Sequence, residues 1–133
     1  MKVLLDTHIW SWWMLGDPRL SRKEVAILDK LAEEDTPHLS IISLWEIQVL
    51  HSKGRVSLSI PFNRWLLHAS GENIVVIEPL TTEVILRLEN LPANFHADPA
   101  DLLITATALA NGLPLMTHDE KIRKSRIVPI FNG

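Results

Sequence analysis

Short, continuous apolar runs rich in Val, Ile and Leu alternate along this chain with longer segments of helical periodicity. Five runs read as strands: 2–5, 38–42, 73–77, 114–117 and 127–131. The segments between them carry chemical start and stop signals. Ser21-Arg22-Lys23-Glu24 spells a capping box that opens a helix to about Glu34, and Ser43-Leu44-Trp45-Glu46 spells another that stops at Gly54. Asp98-Pro99-Ala100-Asp101 supplies a capping oxygen, a proline at the first helical position and an acid in the first turn; Asn111-Gly112 closes that helix. Strands that are apolar throughout are buried on both faces, which requires helices on both sides of a mostly parallel sheet. The expected architecture is a doubly wound α/β domain, three layers deep (α/β/α) with four to five central strands, formed by residues 1–133 as one unit.

The tryptophans refine that picture. Trp10, Trp12 and Trp13 share the helix after the first strand, and residues 12 and 13 point about 100° apart, so one sheet-facing stripe cannot bury both. The Trp12 region is expected at a partner surface, and Trp45 and Trp65 in the core.

With 133 residues, 47% of them hydrophobic, the chain can bury a core without disulfide or zinc staples. Cysteine is absent, which removes thiolate metal sites and Cys nucleophiles. No apolar run approaches the ~20 residues of a bilayer crossing, and Asp6 comes too early for a signal peptide, so a cytoplasmic, membrane-free protein is expected. A net charge of -3 argues against nonspecific coating of nucleic acid but leaves room for local basic patches. Lys121, Arg123, Lys124 and Arg126 follow Asp119 closely, and Lys53 and Arg55 follow the Glu46 helix. Such a run can be a solvated face or, beside an acidic pocket, a grip on RNA phosphates.

The acids form the main chemical pattern. Asp6 ends the first strand, Glu46 and Asp101 fall in the first turns of their helices, and Asp119 follows the fourth strand. In a doubly wound sheet these positions share the rim beyond the strands' carboxyl ends, where ligands bind. Each carboxylate pair at ~5 Å repels by roughly 3 kcal/mol at an effective dielectric near 20. A pocket of four must therefore take up protons or cations, and all-oxygen donors favour a hard ion, Mg²⁺ or Mn²⁺. Singly, Glu46 could be half of a capping box, Asp101 a helix-dipole acid and Asp98 only a cap. Asp6 at a buried strand end is harder to excuse, because a carboxylate there would cost several kcal/mol without a partner. His8, His96 and His118 lie near these acids and are expected as solvent-facing rim groups rather than ligands.

Leu4-Leu5-Asp6-Thr7, 40–47 (Ser-Ile-Ile-Ser-Leu-Trp-Glu-Ile), 98–108 (Asp-Pro-Ala-Asp-Leu-Leu-Ile-Thr-Ala-Thr-Ala) and 113–119 (Leu-Pro-Leu-Met-Thr-His-Asp) together resemble the PIN-domain nucleases, most closely the VapC-type toxins of toxin-antitoxin pairs. The resemblance covers nearly the whole chain. It implies an Mg²⁺- or Mn²⁺-dependent endoribonuclease whose acidic quartet is Asp6, Glu46, Asp101 and Asp119, with Thr7, Asp98 and Thr117 in support. It also implies RNA cleavage leaving a 5′-phosphate, a homodimer and a small antitoxin that blocks the site. His8 and Leu102 depart from the Asn and Arg that many relatives carry, which bears on the substrate grip more than on the metal ligands.

Other functions fit less well. Phosphomonoester hydrolysis through Asp6 wants Asp-x-Asp, and the chain has Asp6-Thr7-His8. His118-Asp119 imitates an all-helical phosphohydrolase motif, but this pattern is not all-helical. A receiver domain needs an Asp after the third strand, where Glu78-Pro79 stands, and no glycine-rich phosphate loop exists. The remaining alternative is a catalytically weak scaffold of the same fold that binds protein or RNA without cutting.

Overall fold

The computed structural model describes residues 2–95 and 98–132. Among these residues the chain forms β1 (Leu4–Leu5), α1 (Thr7–Leu15), α2 (Arg22–Glu34), β2 (His38–Ser40), α3 (Ile41–Ser52), α4 (Phe62–Ala69), β3 (Val76–Glu78), α5 (Thr82–Glu89), α6 (Pro99–Ala110), β4 (Leu115–Met116) and α7 (Glu120–Ser125). The strands make one parallel sheet in the order β3-β2-β1-β4, with Leu5 opposite Leu39 on one side and Met116 on the other. The chain winds outward from β1 to β3 and then returns to β1's other edge, so strand order reverses between β1 and β4. That reversal opens a crevice beyond the ends of these two strands.

Successive strand residues face opposite sides of a sheet. Val3 and Leu5 join one core with Ile9, Trp10, Leu28 and Leu39, whereas Leu4 joins a second with Ile104, Leu115 and Ile122. Burial on both faces explains why the strands read as unbroken apolar runs. No helix among the described residues is long and apolar enough to cross a membrane.

The capping box at Ser21 forms as expected: Ser21 Oγ accepts the Glu24 N–H and Glu24 Oε1 accepts the Ser21 N–H. The Asp98 cap and the Asn111 stop also form, and Gly54 follows the end of α3 in the left-handed region at φ 71°. Four expectations are corrected. The helix after β2 starts at Ile41, because Ser40 Oγ accepts the Ile42 N–H as the chain leaves the sheet, so Ser43-Leu44-Trp45-Glu46 is not a capping box. That start places Ser43 and Ile47 on the buried face and turns Ile41 and Trp45 outward, leaving Trp45 55% exposed rather than in the core. The third strand begins three residues later than expected, since the Ile74 and Val75 N–H groups both bond Gly71 O and hold that stretch in a turn. Residues 127–131 contribute only an isolated bridge, Leu115 to Ile130, because Pro129 lacks the N–H that a ladder needs.

Trp65 is buried, as expected, and Trp12 and Trp13 are both half-buried. Trp13 Nε1 donates to Asp29 Oδ1 at 3.0 Å, tying α1 to α2.

Candidate functional site

Asp6 follows β1 and caps α1. Its Oδ1 accepts the Thr7 N–H at 2.9 Å, its Oδ2 accepts the Thr117 hydroxyl at 2.6 Å, and only 4% of the residue is exposed. Thr117 follows β4, and its Oγ1 also accepts the Asp119 N–H at 3.0 Å. Asp119 in turn caps α7 by accepting the Ile122 N–H at 3.0 Å. A chain of local bonds thus joins the ends of the two central strands through Asp6, Thr117 and Asp119.

The other acids arrive on helices. Glu46 lies in the second turn of α3, and that helix is tied to α1 by a 2.8 Å hydrogen bond between the Thr7 and Ser43 hydroxyls. Asp98 caps α6 by accepting the Asp101 N–H at 3.0 Å, which places both side chains at the start of that helix. Carboxylate oxygens of Glu46, Asp98 and Asp101 lie within 4.8 Å of one another. Asp6 and Asp119 line the same cleft of about 360 Å³, whose remaining wall is His8, Trp12, Arg19 and His118. Asp98, expected only to support, is therefore both helix cap and member of the acidic group.

Electrostatics follow from the crowding. Burial, then the charges of Asp6, Asp98, Glu46 and Asp119, push Asp101 up to about 8. Burial also raises Asp6, against the bonds from Thr117 and Thr7 and the nearby His8. It raises Glu46 as well, against the Thr7 hydroxyl and with help from the Asp6 and Asp98 charges. Glu46 Oε1 is buried without a hydrogen-bond partner among the described residues. An acceptor without a donor, in a cleft of mutually repelling carboxylates, is what a cation would satisfy. The donors are all oxygen, so the set suits a hard divalent ion.

These raised values set a pH dependence. Between the unfolded value of 3.8 for Asp101 and its folded value of about 8, the folded protein binds more protons than the unfolded chain. Without metal, the stabilisation is complete at low pH and is lost as pH rises through that window. Because solvent reaches Asp101, we expect a loss of about 2 kcal/mol between pH 5 and pH 8 in chelator, less than the full shift would imply. Urea unfolding at the two pH values measures this, and greater stability at pH 8 would contradict it.

The basic residues divide. Lys53 and Arg55 lie beyond the far end of α3, about 10 Å along its axis from Glu46, and do not line the cleft. Arg123 is exposed but tied down, its Nη1 donating to Thr117 O at 3.0 Å and its Nη2 to Asn132 Oδ1 at 3.2 Å. Lys121 and Lys124 line a separate depression with Phe95 and Ile127. His118 Nε2 lies 2.6 Å from Glu24 Oε2, and both His8 and His118 are exposed on the cleft wall. His96 lies outside the described residues. Sequence reasoning took Ser43 only for a helix cap and did not single out Arg19. The Gly16-Asp17-Pro18-Arg19 turn was the signal for Arg19, since it reverses the chain after α1.

A family profile described as PIN domain matches residues 3–127. The chain is 35% identical over 124 residues to Ribonuclease VapC22 of Mycobacterium tuberculosis, covering 93% of this chain and 92% of that protein. It is similar in fold to VapBC2 from Rickettsia felis, solved bound to a DNA fragment from its promoter, with a TM-score of 0.76 at 22% identity over 98% of each chain. It is similar also to FitAcB from Neisseria gonorrhoeae, with a TM-score of 0.63 at 22% identity over 99% of this chain and 97% of that one.

Proposed function

We propose, starting from the fact that this chain belongs to the PIN-domain family, that it is a metal-dependent endoribonuclease and the toxin of a type II toxin-antitoxin pair. The observation that carries this reading is the cleft itself: five carboxylates at the sheet's switch point, one with a buried oxygen that nothing in the described residues satisfies. Similarity to Ribonuclease VapC22 supports RNA as the substrate.

Asp6, Glu46, Asp101 and Asp119 would hold Mg²⁺ or Mn²⁺, with Asp98 near enough to share the ion. When bound, the ion supplies positive charge to offset the phosphate and makes water more acidic. The protein's own part is positioning. Thr7 and Thr117 fix both oxygens of Asp6, and Arg123 holds the Thr117 backbone. The Thr7–Ser43 pair locks α3 so that Glu46 faces the cleft. Asp101, whose surroundings push it up to about 8, would hold the ion as a carboxylate, so binding would release its proton. In the hydrolysis a water oxygen bonds to phosphorus and the P–O3′ bond breaks, leaving a 5′-phosphate and a 3′-hydroxyl; the proton from water ends on the departing oxygen. Lys121 and Lys124 line a separate depression on α7, the helix that Asp119 caps, and would contact a strand that leaves the cleft along that helix.

The partner we propose is a small antitoxin, with the chain itself a homodimer. Support comes from exposed apolar side chains on two helices, Ile41 and Trp45 on α3 and Ile85 and Leu86 on α5. The test of activity is incubation of the purified protein with total RNA and with tRNA in Mg²⁺, Mn²⁺ or chelator. Cutting with either ion and none in chelator is expected. Cutting that persists in chelator, or its absence with both ions, would overturn the reading.

A further inference from the structure

The lining of the cleft is not acidic throughout, since His8, Trp12, Arg19 and His118 complete it. Arg19 is the only Lys or Arg among the described residues that line it. An RNA strand approaching five carboxylates is repelled wherever a metal ion does not intervene, so a cation in the same lining has a defined electrostatic use.

The position of Arg19 is built rather than incidental. Gly16, at φ 66°, ends α1 in the left-handed region, and the Gly16 and Asp17 N–H groups both bond Trp12 O. This reversal carries Arg19 back over Trp12, with its guanidinium carbon 5.0 Å from the indole centroid. Asp17 then fixes the guanidinium plane. Its Oδ1 accepts from Nε at 3.1 Å and its Oδ2 from Nη2 at 2.7 Å. A guanidinium has five N–H donors, so two spent on Asp17 leave the Nη1 pair and one Nη2 donor for another acceptor. The side chain remains 67% exposed, so an incoming strand can reach it. A planar cation held edge-on by a carboxylate and face-on by an indole loses little conformational freedom when it binds phosphate.

We propose that Arg19 is a substrate-positioning residue, gripping a nonbridging oxygen of an RNA phosphate next to the one at the acids, with Asp17 and Trp12 setting its orientation. This rests on the ribonuclease reading and adds the residue that aligns the strand across the cleft. Because the contact is to phosphate, it acts alike on all RNA sequences.

The test measures affinity and turnover separately. Binding of a single-stranded oligoribonucleotide is followed at several salt concentrations with Asp101→Asn protein, alone and combined with Arg19→Ala, Arg19→Lys or Arg64→Ala. Arg64 is exposed on α4, does not line the cleft and supplies the same charge change elsewhere. Arg19→Ala is expected to weaken binding about tenfold and to reduce the slope of log affinity against log salt by ~0.7, the value for one phosphate contact on a single strand. Arg19→Lys should restore the slope, and Arg64→Ala should leave it unchanged. With otherwise native protein, Arg19→Ala should raise KM about tenfold and keep kcat within about twofold. An unchanged slope overturns the proposal, as does a fall in kcat and Tm with KM intact, which would mean a structural role. If native protein cuts RNA while affinity ignores Arg19, only this inference fails; if native protein does not cut, the ribonuclease reading fails.

Discussion

Replacing Asp101 by Asn is expected to lower RNA cleavage on the order of 10³-fold, about 4 kcal/mol of transition-state stabilisation, while making the metal-free protein more stable. Both effects come from one charge. Asp101 faces Asp6, Asp98, Glu46 and Asp119, and these, after burial, hold its proton on up to about 8. Asn keeps the shape and keeps the backbone N–H that Asp98 accepts, so α6 retains its cap. What disappears is a carboxylate that repels four others in the empty cleft and that a divalent ion would need in the filled one. At pH 8 in chelator the variant should gain about 1–2 kcal/mol by urea unfolding. A purely structural role for Asp101 at the helix start predicts the reverse pair of results: activity within about twofold of native, and a loss of up to ~1 kcal/mol from the weakened helix dipole. Measuring cleavage and unfolding on the same preparation separates the two.

The second large effect is expected at Trp10. Its side chain is fully buried between the sheet and Trp65, whose ring centroid is 5.6 Å away, and its Nε1 donates to Ala69 O at 2.9 Å. Ala69 is the last residue of α4, so this indole satisfies one of the carbonyls that a helix end leaves unpaired. Trp10→Ala removes the packing, at about 3–5 kcal/mol, and leaves that carbonyl without its donor, at roughly 1–3 kcal/mol more. A domain of ordinary stability, ~5–15 kcal/mol, has little left after that loss. Trp10→Phe keeps much of the volume, and its cost should be only about 1–3 kcal/mol. Equilibrium urea unfolding measures both, and an Ala variant as stable as the Phe variant would contradict the packing account. Trp10 lies one helical turn from Asp6 on α1, so the same core that stabilises the fold also holds the start of the site.

The gathering of the acids at one rim, which makes the candidate site, was more legible along the chain than the detail of the fold. Asp6 stands at the end of a buried apolar strand, where a carboxylate needs a reason, and the Asp98-Pro99-Ala100-Asp101 sequence marks a helix start chemically. Parallel pairing of β1 with β4 then brings the ends of those elements to one rim. Glu46 was placed on the right helix but one turn too near its start. Two serines compete there, and pattern alone cannot show that Ser40, bound to leave the sheet, takes the cap. The same shift explains Trp45, which a large apolar side chain would place inside and which the true helix start turns outward. Pro129 interrupts a run that otherwise reads as a fifth strand. Neither α4 nor α5 has a strong entry signal: α4 follows Pro61 with no side-chain cap, and the Thr81 cap of α5 is not part of a reciprocal box. The basic run after Asp119 could not be resolved from spacing, because whether Arg123 points at solvent or at the Thr117 carbonyl depends on tertiary packing.

Diffraction from crystals soaked in Mn²⁺, with the anomalous signal of the metal located directly, tests the central claim most closely. The account predicts a peak within coordination distance of Glu46 and Asp101, in the cleft that Asp6, Asp98 and Asp119 complete. A well-phased map with no anomalous peak in that cleft at millimolar Mn²⁺, or with peaks only elsewhere on the surface, would contradict it.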